Sequence, residues 1–135
     1  MSFKLVVISP EKKVLEMDCK SVTVPTSEGQ ITVLPKHISI FSILTAGEVI
    51  ARTMDKDISI TVGGGFVSVS GDKVTILPEF GVKSDEIDEE KVKEAKKRAE
   101  EIIKNQIDNK GSALAEATLA RSLIELKIAH KRRKS

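Results

Sequence analysis

Apolar residues recur with a period near two through residues 1–84 and with a period near 3.6 from residue 85 onward. The first pattern belongs to half-buried strands and the second to amphipathic helices. Phe3-Lys4-Leu5-Val6-Val7-Ile8 predicts a strand ending at Ser9-Pro10, and Lys13–Met17 a short second one. Lys20–Val24 alternates and stops at Pro25, and the Glu28-Gly29 turn leads into Gln30–Leu34. Pro35 lacks the N–H that a ladder needs and fixes φ, so the strand breaks there. Apolar positions resume over Ile38–Leu44, and Gly47 marks a turn before Glu48–Arg52. Met54–Asp57 reads as a polar hairpin turn into Ile58–Val62. Gly63-Gly64-Gly65 introduces Phe66–Val69, and Ser70-Gly71-Asp72 turns into Lys73–Leu77. Turn signals at this spacing predict an antiparallel sandwich or barrel rather than parallel βαβ units.

The helical pattern opens at Asp88, a good N-cap, with Glu89 and Glu90 facing the positive end of the helix dipole. Val92, Ala95, Ala99, Ile102, Ile103 and Gln106 trace one face. Asp108-Asn109-Lys110-Gly111 ends this helix, and Ser112 caps a second. The second helix sets Ala113, Ala117, Ala120, Ile124 and Ile128 on one stripe, with Leu119, Leu123 and Leu126 beside it. Small residues on both stripes predict an antiparallel hairpin. Two helices alone make a thin core, so their apolar surface must rest on the sheet half or on another protein. The pattern leaves both open, and a hairpin able to do both would be a switch.

Composition sharpens the division into residues 1–84 and 85–135. The first part holds all four Pro and seven of the eight Gly, with 9 basic and 9 acidic residues; the second has no Pro, with 13 basic and 11 acidic. Strands followed by helices make an α+β chain, mainly β. Aromatics are 3% of the residues, without Trp or Tyr, so the core must be aliphatic. A net charge of +2 gives no case for strong steering towards nucleic acid. Cys19 is the single cysteine, which excludes an internal disulfide and a cysteine zinc cluster. The N-terminus lacks a charged region followed by an apolar run, and no stretch approaches ~18 apolar residues. A soluble intracellular protein is expected.

Little here carries chemistry. Gly63-Gly64-Gly65-Phe66 lacks the Lys-Ser/Thr of a phosphate loop and precedes a strand, so it reads as a bulge or close backbone approach. His37 and His130 have no third partner for metal or nucleophile work, and His37 at its corner is either a contact to a partner or solvated. Lys131-Arg132-Arg133-Lys134 reads as a solvated terminus, with nucleic acid or anionic lipid as the other reading. No residue pattern makes an enzyme.

Taken in order, several segments resemble the epsilon-subunit family of F-type ATP synthases over essentially the full length. Phe3–Pro10 carries the V-x-S/T-P ending, and Ser27-Glu28-Gly29 with Leu34-Pro35-Lys36-His37 looks like the family's S-G/E-G…L-P-G-H corner. Gly64-Gly65-Phe66-x-x-Val69 and Lys73-Val74-Thr75-Ile76-Leu77 look like its G-G-F-x-E-V…V-T-I-L run. The resemblance implies a flattened antiparallel β-sandwich of about ten strands followed by a C-terminal two-helix hairpin. It implies a non-catalytic rotor subunit, without a cofactor, that couples the c-ring to gamma during proton- or sodium-driven ATP synthesis. Its sandwich (residues 1–84) binds gamma and rests on the c-ring. Its regulatory hairpin (residues 85–135) extends beside the alpha and beta catalytic subunits and inhibits hydrolysis. Glu28, Gly29 and Gln30 would face the c-ring, and Lys36, His37, Ile38 and Ser39 would face gamma. Arg121 and Lys127 would meet acidic surface on the catalytic subunits. The implied location is peripheral, at the cytoplasmic face of a bacterial plasma membrane, with no nucleic-acid partner.

The chain departs from the family in places. H-A-P after the corner is His37-Ile38-Ser39 here, and Pro78-Glu79-Phe80-Gly81 replaces A-D-x-A, which unsettles the packing of the linker. Some bacterial members bind ATP between the folded helices through I/L-D-x-x-R-A and further arginines. That motif reads Ile87-Asp88-Glu89-Glu90-Lys91-Val92, with Arg98 and Arg121 retained and Glu125 where an arginine is expected. Lys91 offers a point charge instead of a bidentate fork, and Glu125 repels phosphate, so weak or absent ATP binding is expected. The other readings are a stand-alone sandwich adaptor binding some partner through its hairpin, and a nucleic-acid module using the basic tail.

Overall fold

The computed structural model describes residues 2–36, 39–105 and 109–134, with the backbone alone at 109–112, 133 and 134. Two compact units divide between Lys83 and Ser84. Among its described residues the first holds eight strands: β1 (Phe3–Ile8), β2 (Lys13–Cys19), β3 (Ser21–Thr26), β4 (Gly29–Val33), β5 (Ile40–Arg52), β6 (Asp57–Ser70), β7 (Lys73–Pro78) and β8 (Gly81–Lys83). They run in the order β2-β1-β7-β6-β5-β3-β4, with β8 on β6. All pairings are antiparallel except β1 with β7, where Val7 lies beside Ile76. The long path from β1 to β7 through the other strands permits that parallel pair without a crossover helix.

The two segments expected on each side of Gly47 are one strand of 13 residues, and those on each side of Gly63–Gly65 are one of 14. Their inward-facing residues change parity midway. Leu44 is buried on β5, then Val49 and Ala51; Ile60 and Val62 are buried on β6, then Val67 and Val69. A strand that exchanges faces in this way serves two layers. The first half of β5 and second half of β6 join β7, β1 and β2, while the other halves join β3, β4 and β8. Counting those halves separately turns eight strands into the ten expected (8 + 2).

Glycine makes the corner possible. A Cβ on Gly63 would stand 1.9 Å from the Phe80 ring, and one on Gly65 would stand 2.1 Å from the Leu77 carbonyl oxygen. Gly65 also has φ +130°, a conformation that side chains disfavour. Glu79 donates its N–H to the Gly64 carbonyl at 2.9 Å, and Gly63 donates to the Phe80 carbonyl at 3.1 Å. Pro78–Gly81 is thus bound to the sheet rather than being part of a loose linker. Strand β3 likewise continues through Pro25, which lies opposite Gln30 at the β3–β5 register shift, where no ladder donor is required. The core between the layers is aliphatic apart from Phe3 and Cys19, and every member comes from this unit.

In the second unit, Ser84–Glu86 form a single 3-10 turn before α1 (Glu89–Asn105) and α2 (Asn109–Lys134). Asp88 caps α1, its Oδ1 accepting the Glu90 and Lys91 N–H groups at 3.1 and 3.3 Å. Ala99 is the buried point of the expected α1 face, Ile102 lies on its exposed rim, and Gln106 lies outside the described residues. Gly111 and Ser112 fall inside α2, so Ser112 is not its cap. The buried positions of α2 are Ala115, Ser122, Ile128 and Ala129, whereas Ala113, Ala117 and Ala120 are exposed. Alanine and leucine surround α2 on almost every side, so spacing alone did not select its inner stripe. Ser122 offsets its burial by donating to the Thr118 carbonyl at 2.8 Å.

Candidate interaction site

On the outside of the sheet an apolar row crosses four strands. Ile43 on β5 pairs with Phe66 on β6, and Phe66 pairs with Leu77 on β7. The Val7–Ile76 register carries Ile8 next to Leu77, and Ile8, Phe66 and Leu77 line one groove of about 420 Å³ beside Gly65. Phe41, two residues before Ile43, stacks on Phe66 with ring centroids 5.6 Å apart. These five side chains are between 38% and 71% exposed. Large apolar side chains clustered on an open sheet face mark an interaction surface. The sequence carried a signal for them: Val7-Ile8, Ile43-Leu44, Phe66-Val67 and Ile76-Leu77 are apolar pairs where a solvated face would alternate with polar residues.

The expected docking residues surround the start of β5 and the β3–β4 hairpin. Glu28, Gly29 and Gln30 are exposed at that hairpin. Thr26 Oγ1 fixes its tip, accepting the Glu28 N–H at 3.2 Å and donating to the Gly29 carbonyl at 2.5 Å. The Ser27 N–H reaches the Ile43 carbonyl at 3.0 Å, tying the tip to the strand that carries the apolar row. Lys36 is exposed with φ 63°, the left-handed corner that ends the β4 segment, and Ser39 is exposed before β5. His37 and Ile38 lie outside the described residues.

In the helical unit, a mostly apolar groove of about 280 Å³ runs between α1 and α2, lined by Ala95, Ala99, Ile102, Leu114, Ala115 and Thr118, with Arg98 at its edge. Asp88 is committed to its cap, and Lys91 is exposed on the first turn of α1. Arg121 is not an open guanidinium: its Nε stands 3.5 Å from Glu125 Oε1. Burial pushes the Glu125 carboxyl up from its ordinary pKa, and Arg121 pulls it back in part. Lys127 and His130 are exposed further along the helix. Sequence reasoning put Arg121 and Glu125 at the same site without pairing them, although four residues apart is contact spacing on a helix.

Among the described residues no cluster of His, Cys, Asp and Glu has the arrangement of a metal site. Cys19 is buried in the sheet core, and burial pushes its thiol up to about 11, so it is a poor nucleophile. Among the described residues, no helix is long and apolar enough to cross a membrane.

Comparison with known proteins agrees with this division. Residues 2–83 match the ATP synthase, Delta/Epsilon chain, beta-sandwich domain, and residues 85–130 match the ATP synthase, Delta/Epsilon chain, long alpha-helix domain. The ATP synthase epsilon chain of Dehalococcoides mccartyi is 36% identical over 132 residues, covering 97% of this chain and 94% of that one. That of Vesicomyosocius okutanii is 38% identical over 128 residues, covering 94% and 92%. A chain in the mitochondrial ATP synthase of Euglena gracilis has a similar fold, with TM-score 0.65 and 23% identity over 98% of this chain and 80% of that chain. One in the central stalk/c-ring of the Tetrahymena thermophila enzyme gives 0.56 at 18% identity, over 93% and 95%. With a family match over each half and full-length relatives at this identity, the chain belongs to the ATP synthase delta/epsilon family, as an epsilon-type member.

Proposed function

We propose that the chain is a non-catalytic rotor subunit of an F-type ATP synthase, coupling the c-ring to the gamma stalk and restraining ATP hydrolysis through its helices. The observation that carries this is the apolar row of Ile8, Phe41, Ile43, Phe66 and Leu77 on the outer sheet face. Gamma covers this row, and the corner of Lys36, His37, Ile38 and Ser39 is a further part of the surface assigned to gamma. The Glu28–Gln30 tip faces the c-ring. The assemblies holding the Euglena and Tetrahymena chains include a c-ring, which supports a place between stalk and ring. The chain is peripheral to the membrane through this complex, on the cytoplasmic side of a bacterial cell.

The helical unit extends beside the alpha and beta subunits, where Arg121 and Lys127 meet acidic surface. From Ala117 to the end, six basic residues stand against one acidic residue, a charge pattern suited to that docking. The test is ATP hydrolysis by the reconstituted catalytic complex with the full chain and with a chain ending at Lys83. The shortened chain keeps the whole sheet core, since every core member lies within its unit. Faster hydrolysis with the shortened chain is expected; equal rates refute inhibition by the helices.

A further inference from the structure

Glu125 is the one acidic residue between Ala117 and the C-terminus, among Arg121, Lys127, Lys131, Arg132, Arg133 and Lys134. It is not a solvated surface charge. Its side chain is only 12% exposed, and its Oε1 stands 3.5 Å from the Nε of Arg121, whose side chain is 37% exposed. Support of the helix does not explain this pair. The acid stands C-terminal to the base, the weaker orientation of a pair four residues apart. A carboxylate moved out of water also carries a desolvation penalty that a single long ion pair offsets only in part. A basic helix with an unfavourable acid at its centre has given up stability for control of one arginine.

We infer that Glu125 is a positioning residue, holding the Arg121 guanidinium against α2 and thereby weakening the docking of this helix on an acidic protein surface. This rests on the proposed docking of the helical unit. For Arg121 to meet a partner carboxylate it must leave Glu125, which is then a half-buried anion without its counter-ion and one that also repels the partner. Glu125 therefore works against the contact that Arg121 and Lys127 favour, through its pairing with Arg121. Inhibition by this chain is set below the strength that its basic residues alone would give.

The test is a double-mutant cycle in the full chain, read as the concentration giving half-maximal inhibition of hydrolysis by the catalytic complex. Glu125→Gln keeps the size and hydrogen-bonding capacity of the side chain and removes its charge. It should lower the half-maximal concentration by roughly two- to five-fold, the scale of a partly exposed ion pair. Arg121→Gln should raise it, and Glu125→Gln added to Arg121→Gln should have little further effect. An unchanged value for Glu125→Gln, or an equal gain in both backgrounds, overturns the inference; the second result would mean net charge alone. If the chain ending at Lys83 matches the full chain, the docking reading fails and this inference fails with it. If that chain differs while Glu125→Gln does nothing, only this inference falls. Solvent exchange of the Arg121 Nε–H in the wild-type chain provides a readout independent of any variant. It should be slower than that of the exposed Arg98, and equal exchange also counts against the pairing.

Discussion

Phe41 and Phe66 stack across β5 and β6 on the outside of the sheet, centroids 5.6 Å apart and planes inclined by 23°. Two of the four phenylalanines in the chain are thus placed where they add nothing to the core. Exposed to water at 71% and 47%, both rings keep apolar surface that a partner can cover. Phe41→Ser and Phe66→Ser should each change unfolding free energy by less than about 1 kcal/mol, as expected of surface substitutions. Binding to gamma should weaken by about 2 kcal/mol or more, close to thirty-fold, if the pair is an interface anchor. Urea melts and calorimetric titration with gamma separate the two effects. Unaltered affinity in both variants would move the interface elsewhere.

Gly65 lies beside the groove that Phe66 lines, but its role is structural. Its added Cβ would lie 2.1 Å from the Leu77 carbonyl oxygen, a backbone atom that cannot swing away, and its φ of +130° strains any side chain. Gly65→Ala should lose more than about 2 kcal/mol from the combined clash and strain. The urea midpoint should fall with little change in slope, since the surface exposed on unfolding is the same. A midpoint within error of wild type would mean that the corner opens freely.

The same corner explains how much could be read from the residues alone. Strand type and most turns followed from alternation, because most strand segments turn one apolar face to the core. What alternation hid was continuity. Leu44 and Val49 point inward with opposite parity, so Gly47 resembled a turn between two strands when it lies inside one. The exposure of Glu28–Gln30 and Lys36 was legible because turn residues announce it. The apolar row was not, because Ile43 and Phe66 look like core residues until the register shows which face they occupy. On α2 the spacing misled for a different reason. Ile128 of the expected stripe is buried, but the other buried residues, Ala115, Ser122 and Ala129, are small and include a hydroxyl, whereas the expected Leu123 is exposed.

Glu16 provides a pH test within the sheet unit. Its carboxylate is held at about 2, down from 4.5, first by a hydrogen bond from Lys13 and next by one from Lys4. The distances are 2.8 and 3.0 Å. The folded pKa is the lower one, so any stability from this trio is present above pH 4.5 and disappears as pH falls towards 2. The group is open to solvent, so the contribution is small and screened by salt. Carbon-detected NMR titration should place the Glu16 midpoint near 2. Lys13→Gln should move it further up than Lys4→Gln does, and an ordinary midpoint in the wild type would dissolve the trio.

ATP should not bind tightly to the helical unit, and the reasons lie in five side chains. Asp88 spends its Oδ1 on the Glu90 and Lys91 N–H groups at the start of α1. Lys91 presents a single ammonium rather than the planar fork of an arginine. Arg121 already has the Glu125 carboxylate at 3.5 Å, and a phosphate would have to displace that anion while lying close to it. Arg98, at the edge of the apolar groove, is left to bind the triphosphate without the second-helix arginine that would stand at Glu125. Calorimetric titration of the full chain with ATP should give no low-micromolar binding. Lys91→Arg alone should restore little, because the fork would still face a site whose other cation is engaged. Lys91→Arg combined with Glu125→Arg removes the competing carboxylate and adds a cation, and should gain affinity beyond the sum of the single changes. Tight binding by the unaltered chain would show that Arg121 releases Glu125 readily, and would count against both the weak-binding expectation and the pairing on which it rests.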